Sequence, residues 1–167
     1  KAALAILARK PVFNEEVLSK VHELAKREPT PSVLIYATDL VSTAARNKWL
    51  DAEKTVPVLE TIAGRLPSLE EGVLRWEDEK KGLQNGLAQA LFHTGSDSAI
   101  PALEQLEREH GAGTWALELL KPERGFAAAT KLLTGERPDV KGVDKMNELA
   151  KRGHEPAIHY LVNNVRH

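Results

Sequence analysis

The side chains that could do chemistry are few and scattered. Six histidines stand at His22, His93, His110, His154, His159 and His167. A zinc site on a helix wants two ligands on one face, most simply at i and i+4. His154 and His159 are five apart and point to different faces, and no i, i+4 pair occurs. His93 and His110 fall near expected helix ends, where an imidazolium would suit the negative end of the helix dipole. The chain has no cysteine, which removes thiolate chemistry, Cys-ligated zinc and disulfides together. Glu70, Glu71, Glu77, Asp78 and Glu79 form an acidic run answered by Lys80 and Lys81. Carboxylates do acid–base work only in a cleft that separates their pKa values, so this run reads as a solvated helix end. No Gly-x-Ser-x-Gly elbow, phosphate loop or dinucleotide fingerprint occurs. The sequence therefore assigns no catalytic residue, no cofactor-binding residue and no metal ligand.

The aromatics carry a different kind of signal. Trp115, Tyr36, Tyr160, Phe13, Phe92 and Phe126 are expected to fill gaps between helices. Trp49 follows Arg46-Asn-Lys, and Trp76 stands between Arg75 and Glu77. An aromatic among charges is what the anchor of a protein interface looks like. Trp49, Trp76, Arg46 and Arg75 are the candidate partner-binding residues.

Composition narrows the classes. With 23 basic and 24 acidic residues the net charge is −1. Phosphate-backbone binding wants a clustered basic excess, so this balance disfavours nucleic acid. No stretch approaches the roughly 18 apolar residues of a membrane span. Lys1 to Arg9 has the charge and apolar order of a very short signal core but no cleavage site, and is expected to be a buried first helix. The chain starts without Met, as a processed protein or an excerpt of a longer one would, and His167 suits a purification tag. The lack of cysteine suits the cytosol and is compatible with the periplasm.

Helices must position all of these side chains. Apolar residues recur at three and four: Val17, Leu18, Val21, Leu24 and Ala25 make one stripe, Val58, Leu59, Ile62, Ala63 and Leu66 another, and Val140, Val143, Met146, Leu149 and Ala150 a third. Asn14 caps a helix with Glu15 and Glu16 in its first turn. Pro31, Pro122 and Pro156 suit first-turn positions. Ser68 and Glu71 have the spacing of a capping box. Gly95, Gly111, Gly135 and Gly153 stand where a left-handed residue ends a helix.

The spacing predicts helices over 2–9, 14–27, 31–48, 55–66, 69–78, 82–94, 97–110, 114–120, 122–134, 139–152 and 156–165. Alternatively 69–94 is one long helix whose Gly72, Gly82 and Gly86 face a neighbour. The expected fold is all-α, a single α-solenoid domain of about four stacked helical hairpins or three-helix units over 1–167.

The chain also resembles itself. Lys20-Val-His-Glu-Leu-Ala-Lys-Arg27 matches Lys145-Met-Asn-Glu-Leu-Ala-Lys-Arg152, and a proline follows four residues later in both, at Pro31 and Pro156. Ile62-Ala-Gly-Arg-Leu-Pro-Ser68 echoes Leu24-Ala-Lys-Arg-Glu-Pro-Thr30. Taking Leu24, Ile62, Leu106 and Leu149 as equivalent gives intervals of about 40 residues, the period of stacked helical repeats. Those four leucine and isoleucine side chains are expected to be buried.

Leu132-Leu-Thr-Gly135, Pro138-Asp139, Lys141-Gly142 and Leu149-Ala-Lys-Arg-Gly-His154, with Ala157 and Leu161 following, carry a resemblance. The last quarter is similar to the Sel-one-like branch of the tetratricopeptide superfamily. Gly95-Ser-Asp-Ser-Ala-Ile-Pro-Ala-Leu103 looks like the inter-helix turn of a HEAT repeat. Both resemblances imply a curved helical scaffold that holds a protein or peptide in its groove, with no cofactor. In bacteria the Sel-one-like resemblance implies envelope adaptors or partners that neutralise a specific protein. The alternatives are a HEAT-like enzyme or nucleic-acid-directed protein, and a structural spacer domain of a larger enzyme.

Overall fold

The structure, a computed structural model, describes residues 13–69, 76–135 and 139–164; the side chains of Trp76 and Glu77 lie outside it. The expected helix over 2–9, the Ser68–Glu71 capping box and Gly72 therefore fall wholly or partly outside the described residues. The described residues are all-α. They form nine α-helices: α1 (Glu15–Arg27), α2 (Pro31–Arg46), α3 (Ala52–Arg65), α4 (Trp76–Thr94), α5 (Ile100–His110), α6 (Thr114–Leu120), α7 (Pro122–Leu133), α8 (Val140–Lys151) and α9 (Glu155–Asn164). Short 3-10 turns at Leu66–Ser68 and Asp97–Ala99 complete the elements, and no strand occurs among the described residues.

Local chemistry sets most of the ends. The Asn14 side chain accepts from the Val17 amide at 3.0 Å, which starts α1. Lys48 takes a positive φ of 54° after α2, ending it two residues earlier than its apolar pattern implies. Gly95, Gly111 and Gly153 adopt the expected left-handed backbone, whereas α7 ends through Thr134 and Gly135 is not left-handed. One helix runs unbroken through Glu79 to Lys81, so the expected break there is absent. Gly82 lies against Ile35 and Gly86 against Thr38, as the long-helix alternative requires.

Contacts divide the chain into two compact units, Lys1–Gly113 and Thr114–His167. In the first, the closest neighbours are helices two apart in sequence. Along α1 and α3, Glu15 pairs with Lys54, His22 with Thr61, and the carbonyls of Ala25 and Lys26 with Arg65. Each of these pairs is separated by 39 or 40 residues. A constant separation means the two helices run parallel and in step. On α2 and α4, Ile35 meets Gly82, Thr38 meets Gly86 and Ser42 meets His93, again parallel.

Arg65 does what no local cap does for α1. The last carbonyls of a helix lack intrahelical donors and carry its negative dipole end. The Arg65 guanidinium donates to the carbonyls of Ala25, Lys26 and Glu28 across the groove, while its Nε donates to Ser68 Oγ at 3.3 Å. The core beneath is aliphatic, with Leu34, Leu40, Leu59, Ile62, Leu87 and Leu103 fully buried.

The second unit centres on Ala129, Met146, Leu149 and Ala157, with Phe126, Leu133 and Tyr160 packed around them. Two glycines set how closely its helices approach. A Cβ at Gly125 would run into the Glu118 carbonyl of α6, and one at Gly142 would meet Leu133 Cγ at 2.7 Å and Leu132 Cβ at 3.0 Å on α7. The third expected stripe is corrected here: Val140 is 73% and Val143 41% exposed, and the buried face of α8 is Gly142, Met146 and Leu149. Of the four expected repeat positions, Ile62, Leu106 and Leu149 are buried, but Leu24 is only partly so.

Two glycine substitutions should therefore act in opposite directions. At Gly82 a Cβ would make ordinary contact with Ile35 at 3.8 Å. Gly82→Ala should raise stability by about 0.5–1 kcal/mol through helix propensity. Gly125→Ala gains the same propensity but forces α6 and α7 apart, and should lower stability by about 1–3 kcal/mol. Denaturant midpoints check both, and a stabilising Gly125→Ala would contradict the close helix approach.

Candidate functional site

Three arrangements bring polar side chains together at helix junctions. The first lies between α2 and α4, where Ser42 Oγ and His93 Nδ1 are 3.0 Å apart. Burial first, and then the neighbouring Arg46 charge, push the His93 pKa below its ordinary value. His93 is therefore a neutral ring, which corrects the expected imidazolium at that helix end. A hydroxyl beside a neutral imidazole has the elements of a nucleophile and a base. It also joins the two helices by one hydrogen bond.

The second lies between α1 and α3, where His22 Nε2 and Thr61 Oγ1 are 2.8 Å apart. Thr61 donates its one hydroxyl hydrogen to the Pro57 carbonyl at 2.9 Å. His22 must then donate from Nε2, which fixes its tautomer. Both histidines fasten parallel helix pairs. Among the described residues, no group of three or more His, Cys, Asp or Glu side chains is placed to hold a metal ion.

The third is a groove in the second unit. Trp115 and Leu119 of α6 and Leu149 of α8 wall a cavity of about 160 Å³ that is almost wholly apolar inside. Glu118 from α6 is among the lining residues, buried and ion-paired with Lys145 of α8. Asp144 and Glu148, one turn apart on α8, complete the lining. Glu148 accepts from Lys151 at 2.7 Å, and that hydrogen bond, with the Lys151 and Arg152 charges, holds its carboxyl below the usual range. It is a carboxylate at neutral pH.

The residues singled out by sequence are distributed differently. Trp49 sits partly buried just past the end of α2, its backbone amide donating to the Ala44 carbonyl at 3.0 Å. Arg46 is exposed nearby. Trp76 opens α4, but its side chain and all of Arg75 lie outside the described residues. Trp115, expected as core filling, is 42% exposed at the mouth of the apolar cavity. Only its place in α6, one residue into a helix that follows Gly111 and Gly113, could have hinted at this.

No protein-family model, no curated protein and no solved structure matches the chain. Among the described residues no helix is long and apolar enough to cross a membrane.

The His93 shift makes stability depend on pH. A base whose pKa is lowered by folding binds protons more readily when unfolded, so stability rises with pH through that window. Its contribution is fully present above the ordinary imidazole value of about 6.5 and is lost as pH falls through the lower folded value. Denaturant midpoints taken at about pH 7.5 and about pH 5 should fall further for the native chain than for His93→Gln. Equal falls would show that His93 is not held neutral by the fold.

Proposed function

We propose that this chain is a protein-interaction module of the α-solenoid type, binding a protein or peptide partner without turnover of its own. The reading is supported above all by the groove of the second unit: a half-exposed tryptophan over an apolar cavity, ringed by charged side chains. Interfaces concentrate their energy on aromatic anchors that fill desolvated pockets inside a polar rim. The solenoid part of the reading is supported by the first unit, where alternate helices run parallel with a separation of 39 to 40 residues along α1 and α3. Helices stacked in this way build extended surfaces, which suit a macromolecule better than a small substrate. The Sel-one-like and HEAT-like resemblances of the sequence point the same way, as analogy. Trp49 with Arg46, and Trp76 with Arg75, make a second proposed anchor in the first unit.

Selection of a random displayed peptide library on the whole chain tests this reading. Enriched peptides should bind, and Trp115→Ala should weaken them by about 1–2 kcal/mol, roughly five- to thirtyfold. Trp49→Ala, measured beside it, tells whether the second anchor takes part. A folded chain that enriches no peptide, or peptides indifferent to both substitutions, would contradict the proposal.

A further inference from the structure

We infer that the outer seam between α8 and α9 is a self-association surface, on which a second copy of this chain docks about a twofold axis. The inference goes beyond the peptide-binding reading and does not depend on it. Among the described residues six large apolar side chains are exposed, and four of them belong to these two helices: Val140, Val143, Ile158 and Val162. Val140 and Val162 are more than half open to water.

Helical geometry puts the four on one surface. Going round α8 in steps of about 100° per residue, Lys145 meets Glu118 of α6, Gly142 meets α7, and Met146 joins Ala157 of α9 in the core. Val143 comes next, past Met146 on the side away from Lys145, with Val140 one turn before it. Going round α9, Tyr160 meets the edge of Phe126 on α7, and Ala157 meets α8. Ile158 comes next, on the side away from Tyr160, with Val162 one turn on. The short turn at Gly153, left-handed at φ 84°, joins the two helices back to back in direction. Counted from that turn at about 1.5 Å per residue, Val143 and Val162 lie level.

Charge indicates what covers the seam. A surface that packs on its own copy brings like residues together about the axis, so a charge at its centre would be repelled. Val140, Val143, Asn147, Ile158 and Val162 are all uncharged, in a chain of which 28% is charged. Loss of charge at the centre is also the compositional mark of an interface core. On the rim along α8 stand Asp144 and then Lys151, which also holds Glu148. A copy turned end for end reverses their order, so acid faces base at both ends of the contact. Four partly covered side chains fall short of the roughly 800 Å² per partner of a stable complex. The pair is therefore a weak one, formed at high concentration.

Sedimentation equilibrium of the whole chain tests the inference. The mean mass should rise from one chain toward two, with half-association at about 100 μM. Val143→Glu with Val162→Glu, and Val143→Lys with Val162→Lys, each set like charges across the axis and should raise that concentration by about tenfold or more. Mixed in equal amounts, the acidic and the basic variant should associate again, because the same surface stands on both sides. Both substituted positions are exposed, so melting temperatures should stay at the native value. Should the charges disturb the helices, Val143→Ser with Val162→Ser should still raise the concentration by about threefold. A chain that stays monomeric up to about 1 mM would overturn the inference. So would a pair that survives both charged variants, which would place the contact on another surface. Variants that are monomeric alone and remain so when mixed would mean that the seam meets a different surface, and would overturn the twofold pairing. Peptide binding that depends on Trp115 should be the same in the native chain and the acidic variant, so either reading can fail without the other.

Discussion

A helix of a dozen residues is marginal in water, because nucleation is costly and little apolar surface is covered from within. Most helices of this chain are of that length, so each depends on the neighbour it is laid against. In the first unit that neighbour is the helix two places along, parallel and in register. Parallel packing brings equal dipole ends together, which is unfavourable unless something intervenes. At the C-terminal ends of α1 and α3 the intervening group is Arg65, which donates to carbonyls of Ala25, Lys26 and Glu28. At the N-terminal ends Glu15 and Lys54 pair, and between them His22 and Thr61 bond. The polar contacts thus hold the register, and the aliphatic side chains beneath supply the burial.

The second unit reaches close packing by omission of side chains. Gly125 and Gly142 remove the Cβ atoms that would keep α6 from α7 and α7 from α8. The approach of α6 to α7 at Gly125 also shapes the groove, since Gly125 lines the same cavity as Trp115 and Glu118. Burying Glu118 is tolerable because Lys145 accompanies it; a lone buried carboxylate would be strongly destabilising. The same ion pair leaves Glu118 and Lys145 each with an opposite charge beside an otherwise apolar cavity.

Sequence reasoning reached the helices because their signals are local. Asn14, Pro31, Pro122, Gly111 and Gly153 act on their own backbone within a turn, and the observed ends fall close to those they imply. The expected interval of about 40 between repeat positions lies close to the 39 to 40 residues that separate contacting groups along α1 and α3. What was not legible needed the third dimension. Counting apolar residues put Val140 and Val143 in the core of α8, but the face that packs is marked by a glycine, and absence of a side chain has no hydrophobic signature. Nothing local to Arg65 marks it as a donor to the carbonyls of another helix. Trp115 was read as filling, because type alone does not tell whether an indole lies inside a cavity wall or at its mouth. The sequence supplied the kind of residue, an aromatic among charges, and the exposure of Trp115 is visible only in the folded chain.

The parallel register of α1 on α3 is the claim on which the account of the first unit turns, and the lack of cysteine makes it directly measurable. Cysteines introduced in pairs can close a disulfide only when their Cα atoms are about 4.4–6.8 Å apart. Eleven residues of helix span roughly 16 Å, so each end of α3 reports a different partner. With mild oxidant, the pairs Glu15→Cys with Lys54→Cys and Lys26→Cys with Arg65→Cys should cross-link much faster than Glu15→Cys with Arg65→Cys, which the parallel register holds at opposite ends. Rapid closure of the last pair, with the first two remaining open, would mean that the helices run antiparallel and would contradict the account.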